Sequence, residues 1–243
     1  MGPPRFQSDM KILTWNIRHG GRRRLEAILD RLFRHDADII VLTEFRNNDA
    51  GEKIQEQLDT AGWEHRVASE AVPNRNGVLV ASRAEIVCSG NLAEDLPEPH
   101  RLLDVRFDNL RIVGVYMPSL AEKLPYWDRL LDAAPKLVRE PALMIGDFNT
   151  GMHHLDEAGA TFIGSDRMER LEESGFLELW RAAHPDQQEF TWFSNQGNGF
   201  RLDHAFASPP LRRSVSKVYY SHDERTEKIS DHSALIVTLK QST

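Results

Sequence analysis

The chain has almost no cysteine. Cys88 is the single one in 243 residues, so an intrachain disulfide and a multi-cysteine zinc site are both excluded. Long apolar runs are missing as well, and none approaches the ~18 residues of a membrane-spanning helix. The first nine residues, Met1 to Asp9, hold Pro3, Pro4 and Arg5 but no apolar stretch of the kind a signal peptide needs. They read as a loose tail (1–9) ahead of one domain (10–240), with the cytoplasm as the default location and no membrane or obligate protein partner implied. An excess of positive charge is also lacking, since the net charge is -7. A general electrostatic grip on a polyanion is thereby excluded, and contact with one must come from a local patch. There is no phosphate-cradling P-loop, dinucleotide-binding glycine motif, Gly-x-Ser-x-Gly elbow or His-Glu-x-x-His. ATPase, Rossmann oxidoreductase, serine esterase and zincin readings lose their motif support with them.

What is present is a sequence of short apolar runs rich in Val, Ile and Leu. They are Lys11–Asn16, Asp38–Glu44, Gly77–Ser82, Arg101–Phe107, Arg111–Tyr116, Ala142–Gly146, Asp203–Ala207, Val215–Tyr220 and Ser233–Leu239. Their length and composition predict buried strands. Helical periodicity lies between them. Arg24–Arg34 places Leu25, Ile28, Leu29, Leu32 and Phe33 on one face. Asp49–Ala61 is a weaker amphipathic case, and Ala121–Val138 is a third, with Pro135 expected to end or kink it. Glu169–Ala183 is broken by Gly175 into two short helices. Many strands with few helices to cover them suggest an α/β protein in which two sheets pack face to face, helices outside.

Polar residues at the ends of these runs carry the functional signal. Asn16, Glu44, Tyr116 and the pair Asp147 and Asn149 follow apolar strands, whereas Asp203 opens one and Asp231-His232 precedes another. In an antiparallel arrangement the exits of some strands and the entries of others share a rim. Each residue alone also has a plain reading: Asp and Asn punctuate turns, a terminal Glu is a solvated rim residue, and Arg201 with Asp203 makes a surface ion pair. In this order they describe one chemistry.

The runs Thr14-Trp15-Asn16, Glu44, Val115-Tyr116-Met117-Pro118, Gly146-Asp147-Phe148-Asn149, Thr191-Trp192, Gly199-Phe200-Arg201-Leu202-Asp203 and Ser230-Asp231-His232 resemble the endonuclease/exonuclease/phosphatase superfamily. The resemblance spans about Met10 to Leu239. It implies a four-layer α/β/β/α sandwich of two packed mixed sheets with outer helices. The tyrosine of Tyr116-Met117-Pro118 and the run ending at Asp203 are most similar to the exonuclease III and abasic-site endonuclease branch. Thr43 stands where the family often has Gln, Ser119 where that branch has Asn, and Phe200 where it has Trp. These departures leave the hydrolytic residues intact and leave abasic-site specificity open.

The resemblance implies a phosphoester hydrolase that uses Mg²⁺ or Mn²⁺. Glu44 offers a hard oxygen ligand, completed or oriented by Asn16 and Asp231; Mg²⁺ needs only one or two carboxylates beside phosphate oxygens. Asp147 is the expected base for the attacking water, with Asn149 holding it in line or binding a non-bridging oxygen. His232 as imidazolium stabilises charge on the phosphate, Asp203 fixes its tautomer, and Tyr116 is a further donor. Arg18, His19, Trp192, Phe200 and Arg201 form the expected substrate-contacting set, and Arg18 opens a basic run with Arg22, Arg23 and Arg24. Three functions compete: a DNA nuclease, a phosphatase or phosphodiesterase for a small molecule or lipid headgroup, and a binding module without catalysis. The arginine run favours DNA, and the acidic total favours a small ester.

Overall fold

Every apolar run read as a strand forms one. The computed structural model describes residues 9–240, so the expected tail lies outside the described residues except for Asp9. One six-stranded sheet contains β1 (Met10–Asn16), β2 (Ile39–Phe45), β3 (His65–Ala68), β4 (Gly77–Ser82), β13 (Val215–Ser221) and β14 (Ala234–Leu239). Its order is β13-β14-β1-β2-β4-β3, with β1 and β2 parallel and every other neighbour antiparallel. The second six-stranded sheet contains β5 (Cys88–Asn91), β6 (Leu102–Arg106), β7 (Arg111–Tyr116), β8 (Ala142–Asp147), β9 (Leu177–Glu178) and β12 (Asp203–Ala207). Here the order is β5-β6-β7-β8-β12-β9, and β7 with β8 is the parallel pair. A small hairpin, β10 (Trp192–Phe193) and β11 (Gly199–Phe200), stands apart from both.

Alternation along the strands decides the layers, because successive side chains point to opposite faces. Ile12, Ile39 and Val41 of the first sheet meet Ile112, Leu143 and Ile145 of the second in one buried cluster between the sheets. Their neighbours Leu13, Ile40 and Leu42 turn outward onto Ile28, Leu32, Ile54 and Leu58, from helices α1 (Leu25–His35) and α2 (Asp49–Thr60). On the far side, Val113, Val115 and Met144 pack on Trp127, Leu130, Met168 and Leu171, from α3 (Leu124–Leu137) and α4 (Ser165–Glu173). Each such fully buried aliphatic chain contributes about 1.5–3 kcal/mol. The result is the α/β/β/α sandwich expected from the sequence. Gly114 marks how closely the sheets approach, since a Cβ there would lie 2.8 Å from Val78 and 3.2 Å from Val41.

Two local expectations need comment. Pro135 neither ends nor breaks α3, which runs on to Leu137. Its missing N–H falls in the last turn, where only one helical bond is lost. The segment after α4 is interrupted at Gly175, with φ +104, before the short helix α5 (Leu179–Ala183), as the sequence suggests. The topology then sets the rim. β1, β2, β7 and β8 end there, while β12 and β14 begin there, so six chemistry-bearing segments meet at one edge of the sandwich.

Candidate active site

Asn16, at the end of β1, is the hub. Its Nδ2 donates to Glu44 Oε1 at 3.2 Å and to Asp147 Oδ2 at 2.9 Å, joining residues from the two sheets. Its Oδ1 accepts from the Arg18 N–H at 2.9 Å. Glu44 reaches this position through an irregular strand end. The register of β2 against β4 shifts between Thr43 and Phe45, and Glu44 has φ +54. Such a bulge re-aims one side chain at a cost in backbone strain. The Glu44 carboxylate also accepts the His19 N–H at 2.7 Å and lies 2.8 Å from His19 Nδ1. Positive φ recurs at Arg18, His19 and Asn149, so strained backbone surrounds this one place.

Asp147 closes β8, and Gly146 before it is required. Gly146 has φ +148, and a Cβ there would lie 2.0 Å from the Val115 carbonyl oxygen of the neighbouring strand. Asp147 Oδ1 accepts the Asn149 N–H at 2.9 Å. Asn149 is itself tied down, its Nδ2 donating to the Met117 carbonyl at 2.8 Å. On the adjoining strand Asp203 stands in direct register with Asp147. His232, from the other sheet's side, places Nδ1 2.9 Å from Asp203 Oδ2 and Nε2 4.0 Å from Asp147 Oδ2.

This geometry sets the charges. Burial pushes Asp147 up to about 7, against the pull of His232 and with Asp203 adding to the rise. Burial works against the charged ring of His232, but Asp203 and then Asp147 outweigh it and push the imidazole up to about 10. Near neutrality the ring is therefore a cation, its Nδ1 donating to Asp203 and its Nε2–H left for another acceptor. Burial, with Glu44 nearby, pushes Tyr116 up to about 12, so its hydroxyl stays protonated.

Asp147, Asp203 and His232 present ligand atoms that all lie within 4.8 Å of one another, a group able to hold a metal ion. Asp203 Oδ1 is buried with no hydrogen-bond partner among the described residues. Asp203 Oδ2 is already committed to His232, however. The half-buried Glu44 with Asn16 and Asp147 forms the more open carboxylate face. Carboxylate oxygens without thiolate suit a hard divalent cation, and the Asn16 amide orients them through its Nδ2. Asp231 pairs with Arg18 at 3.5 Å and accepts from Ser230 at 3.4 Å. Ser230 also donates to the Asn16 carbonyl at 2.6 Å.

A profile of the endonuclease/exonuclease/phosphatase family matches residues 13–232. The chain belongs to that family. No sequence among the curated proteins matches it. Solved structures of similar fold include an AP endonuclease from Archaeoglobus fulgidus, 23% identical with a TM-score of 0.81 over 95% of this chain and 99% of that one. A 3′ phosphatase from Neisseria, bound to a product DNA hairpin, is 23% identical with a TM-score of 0.83 over 95% and 99% of the two chains. A 3′-5′ exonuclease from Neisseria meningitidis is 24% identical with a TM-score of 0.83 over 95% and 100%. Enzymes of the endonuclease/exonuclease/phosphatase family hydrolyse phosphoesters.

Within this family frame, most of the expected site residues meet. Trp192 sits 6.5 Å from the His232 ring and 5.8 Å from Phe200, and both line a hollow of about 250 Å³ with Asn149 and Leu202. Arg201 is a correction. It is fully buried, its guanidinium held by Asp156 at 2.7 and 3.2 Å and by Glu178 at 2.9 Å, so it touches neither solvent nor substrate and makes no surface pair with Asp203. It acts on the fold instead, donating to Tyr220 Oη at 3.3 Å, whose hydroxyl in turn donates to the Asp203 carbonyl at 2.6 Å. Arg24, from the basic run, is spent on the Ile229 and Arg18 carbonyls at 2.5 and 2.6 Å. Among the described residues no helix is long and apolar enough to cross a membrane.

Sequence reasoning missed three contributors. Asn76 donates to Tyr116 Oη at 3.1 Å and is 3.3 Å from His19 Nδ1. Arg101 lies 4.8 Å above the Tyr116 ring. Lys123, 3% exposed, donates to the Asn149 main-chain carbonyl, and burial lowers it to about 8. None carries a motif. Asn76 sits in the turn-rich Pro73-Asn74-Arg75-Asn76-Gly77, and Lys123 lies within the amphipathic segment Ala121–Val138 with nothing to set it apart.

Proposed function

We propose that the protein is a divalent-metal-dependent phosphodiester hydrolase acting on DNA, an exonuclease III-like nuclease with abasic sites among its candidate substrates. One observation carries this reading: a single amide, Asn16, bridges Glu44 and Asp147 while the Asp203–His232 pair stands 4.0 Å away. Such a constellation has a base, a cation and an oxyanion donor within reach of one phosphate. Residues 10–240 act as one catalytic unit, because both sheets contribute to it. The solved relatives that act on DNA support the substrate class, and the cytoplasm gives access to it.

Glu44 would hold Mg²⁺ or Mn²⁺, with Asn16 and Asp231 completing or orienting the site, Asp231 being tied to Asn16 through Ser230. A bound divalent ion supplies charge to the phosphoryl oxygens and the leaving oxygen. The residues of the chain do the rest. Asp147 takes a proton from water as the water oxygen bonds to phosphorus, and the bond to the leaving oxygen breaks, that oxygen departing as an alkoxide that solvent then protonates. Asn149, fixed by Met117, orients the water. His232, held as a cation by Asp203, and the protonated Tyr116 hydroxyl donate to the non-bridging oxygens. Trp192 and Phe200 meet the sugar or base, and Arg18 and His19 meet phosphate.

The test offers purified protein, with Mg²⁺ or Mn²⁺, a labelled duplex, an abasic duplex and a panel of phosphomonoesters. Cleavage of DNA that EDTA stops is the expected result. Phosphate released from small esters with both duplexes intact would replace it with the phosphatase reading, which the net charge of -7 favours. Metal-independent binding without turnover would leave a binding module.

A further inference from the structure

A second concave surface lies against the same rim. Arg18, Phe193, Arg225, Lys228, Ser230 and Asp231 line a hollow of about 280 Å³. Three cations face one carboxylate there, in a chain whose net charge is -7. The lone carboxylate, Asp231, is already paired with Arg18 at 3.5 Å. Arg225 is fixed in place: its guanidinium lies 4.5 Å above the Phe193 ring, and its Nε donates to Ser233 Oγ at 3.2 Å. Phe193 is 39% exposed, large and apolar. Lys228 is exposed and holds φ +61, in the turn that delivers Ser230, Asp231 and His232 to the site.

The hairpin explains how two hollows flank one phosphate. Trp192 and Phe193 are consecutive on β10 and point to opposite faces. Trp192 looks toward His232 and the hollow shared with Phe200, Leu202 and Asn149. Phe193 looks into the basic hollow. Ser230 and Asp231 belong both to that hollow and to the segment ending at His232, so a strand entering it continues into the site.

Resting on the DNA-cleaving reading above, we propose that this basic hollow holds the neighbouring nucleotide of the same strand. It lies on the side of the scissile bond away from the Trp192 hollow. The flanking phosphate sits against Arg225 and Lys228, and the base or sugar stacks on the Arg225-backed ring of Phe193. Cations that neutralise phosphates displace counterions and so make binding salt-dependent, whereas stacking does not.

The experiment titrates a fluorescent single-stranded oligonucleotide into the full-length protein in EDTA and reads Kd by anisotropy across about 50 to 200 mM salt. For the double variant Arg225→Gln, Lys228→Gln, the slope of log Kd against log salt should fall by roughly 1.4, or ~0.7 per cation lost on a single strand. Its Kd should rise on the order of tenfold at low salt. Phe193→Ala should weaken binding with the slope kept. The exchange Arg225→Lys, Lys228→Arg should keep the slope, which separates charge from misfolding, and thermal unfolding checks each variant. A wild-type slope in the double glutamine variant overturns the proposal, as does a wild type that binds no DNA. Because binding is read without metal, an inactive wild type would refute the hydrolytic reading and leave this test intact.

Discussion

Asp203 and His232 come from different sheets and meet across the sandwich, Oδ2 to Nδ1, at 2.9 Å. Asp203 opens β12 of one sheet, while His232 precedes β14 of the other. The pair therefore reports on the packing of the whole molecule. Burial alone would strip the histidine of its proton, and the aspartate reverses that balance.

Replacing Asp203 with Asn should leave the fold in place, since Tyr220 bonds the main-chain carbonyl and not the carboxylate. The imidazolium loses its anion, and kcat should fall by ~10²–10³, as on loss of an electrostatic donor. The alkaline limb of the pH–rate profile should move down from about 10 toward the ordinary histidine range. A wild-type profile in this variant would remove Asp203 from the mechanism.

Activity should be bell-shaped in pH. It rises as Asp147 loses its proton, near 7 because burial raises that carboxyl, and falls as His232 loses its own near 10. A cation beside Asp147 favours the ionised form, so the acid limb should move to lower pH as Mg²⁺ or Mn²⁺ is raised. Profiles at several ion concentrations check this. An acid limb that stays fixed would uncouple Asp147 from the metal.

Removal of metal should be visible without substrate. Saturation at ~100 times Kd stabilises a folded protein by about 2.7 kcal/mol, enough to raise Tm measurably. Calorimetry should show that rise with Mg²⁺ or Mn²⁺ and its reversal by EDTA. Glu44→Gln should blunt it. A Tm indifferent to both ions would argue against a carboxylate metal site here.

Gly146→Ala should be severely destabilising. The new Cβ would run into the Val115 carbonyl, and φ +148 is closed to other residues. Strain of this kind costs about 1–3 kcal/mol even where space exists, and here there is none. Urea unfolding should show a loss of roughly 3 kcal/mol or more.

Arg201→Met should cost about 3–5 kcal/mol, because Glu178 is left buried without its arginine and Asp156 keeps only Arg181, at 2.6 Å. The pH dependence follows from the sign of the shift. Burial alone would raise Glu178, but Arg201 holds it down to about 2, below its ordinary 4.5. The stability it contributes is therefore complete above about 4.5 and is lost as pH falls toward 2. In the variant burial raises Glu178 instead, so this acid-side loss should disappear or reverse. Urea denaturation between these limits distinguishes the two proteins.

Much of this was readable in the chain alone. Ile12, Leu13, Ile39, Ile40, Val113 and Met144 alternate because a strand sandwiched between a sheet and a helix layer must be apolar on both faces. Glycine before Asp147 and the Ser-Asp-His run at Ser230-Asp231-His232 are local requirements, and local requirements leave local signatures. The partnership of Arg201 was not readable. Whether an arginine beside an aspartate faces water or the interior depends on what else is buried there. Its partners Asp156 and Glu178 lie 45 and 23 residues away, and nothing in either segment signals a pairing with Arg201.

Sequence by itself determined which residues are competent for phosphoester chemistry and that strands, not helices, would present them, since side-chain type and periodicity are properties of short segments. Tertiary structure alone decided that Asn16 bridges Glu44 and Asp147, that Lys123 and Asn76 join the site, and that a basic hollow opens beside it on an acidic protein. Those are distances between remote parts of the chain, fixed only when two sheets pack and their strand ends come to share one rim.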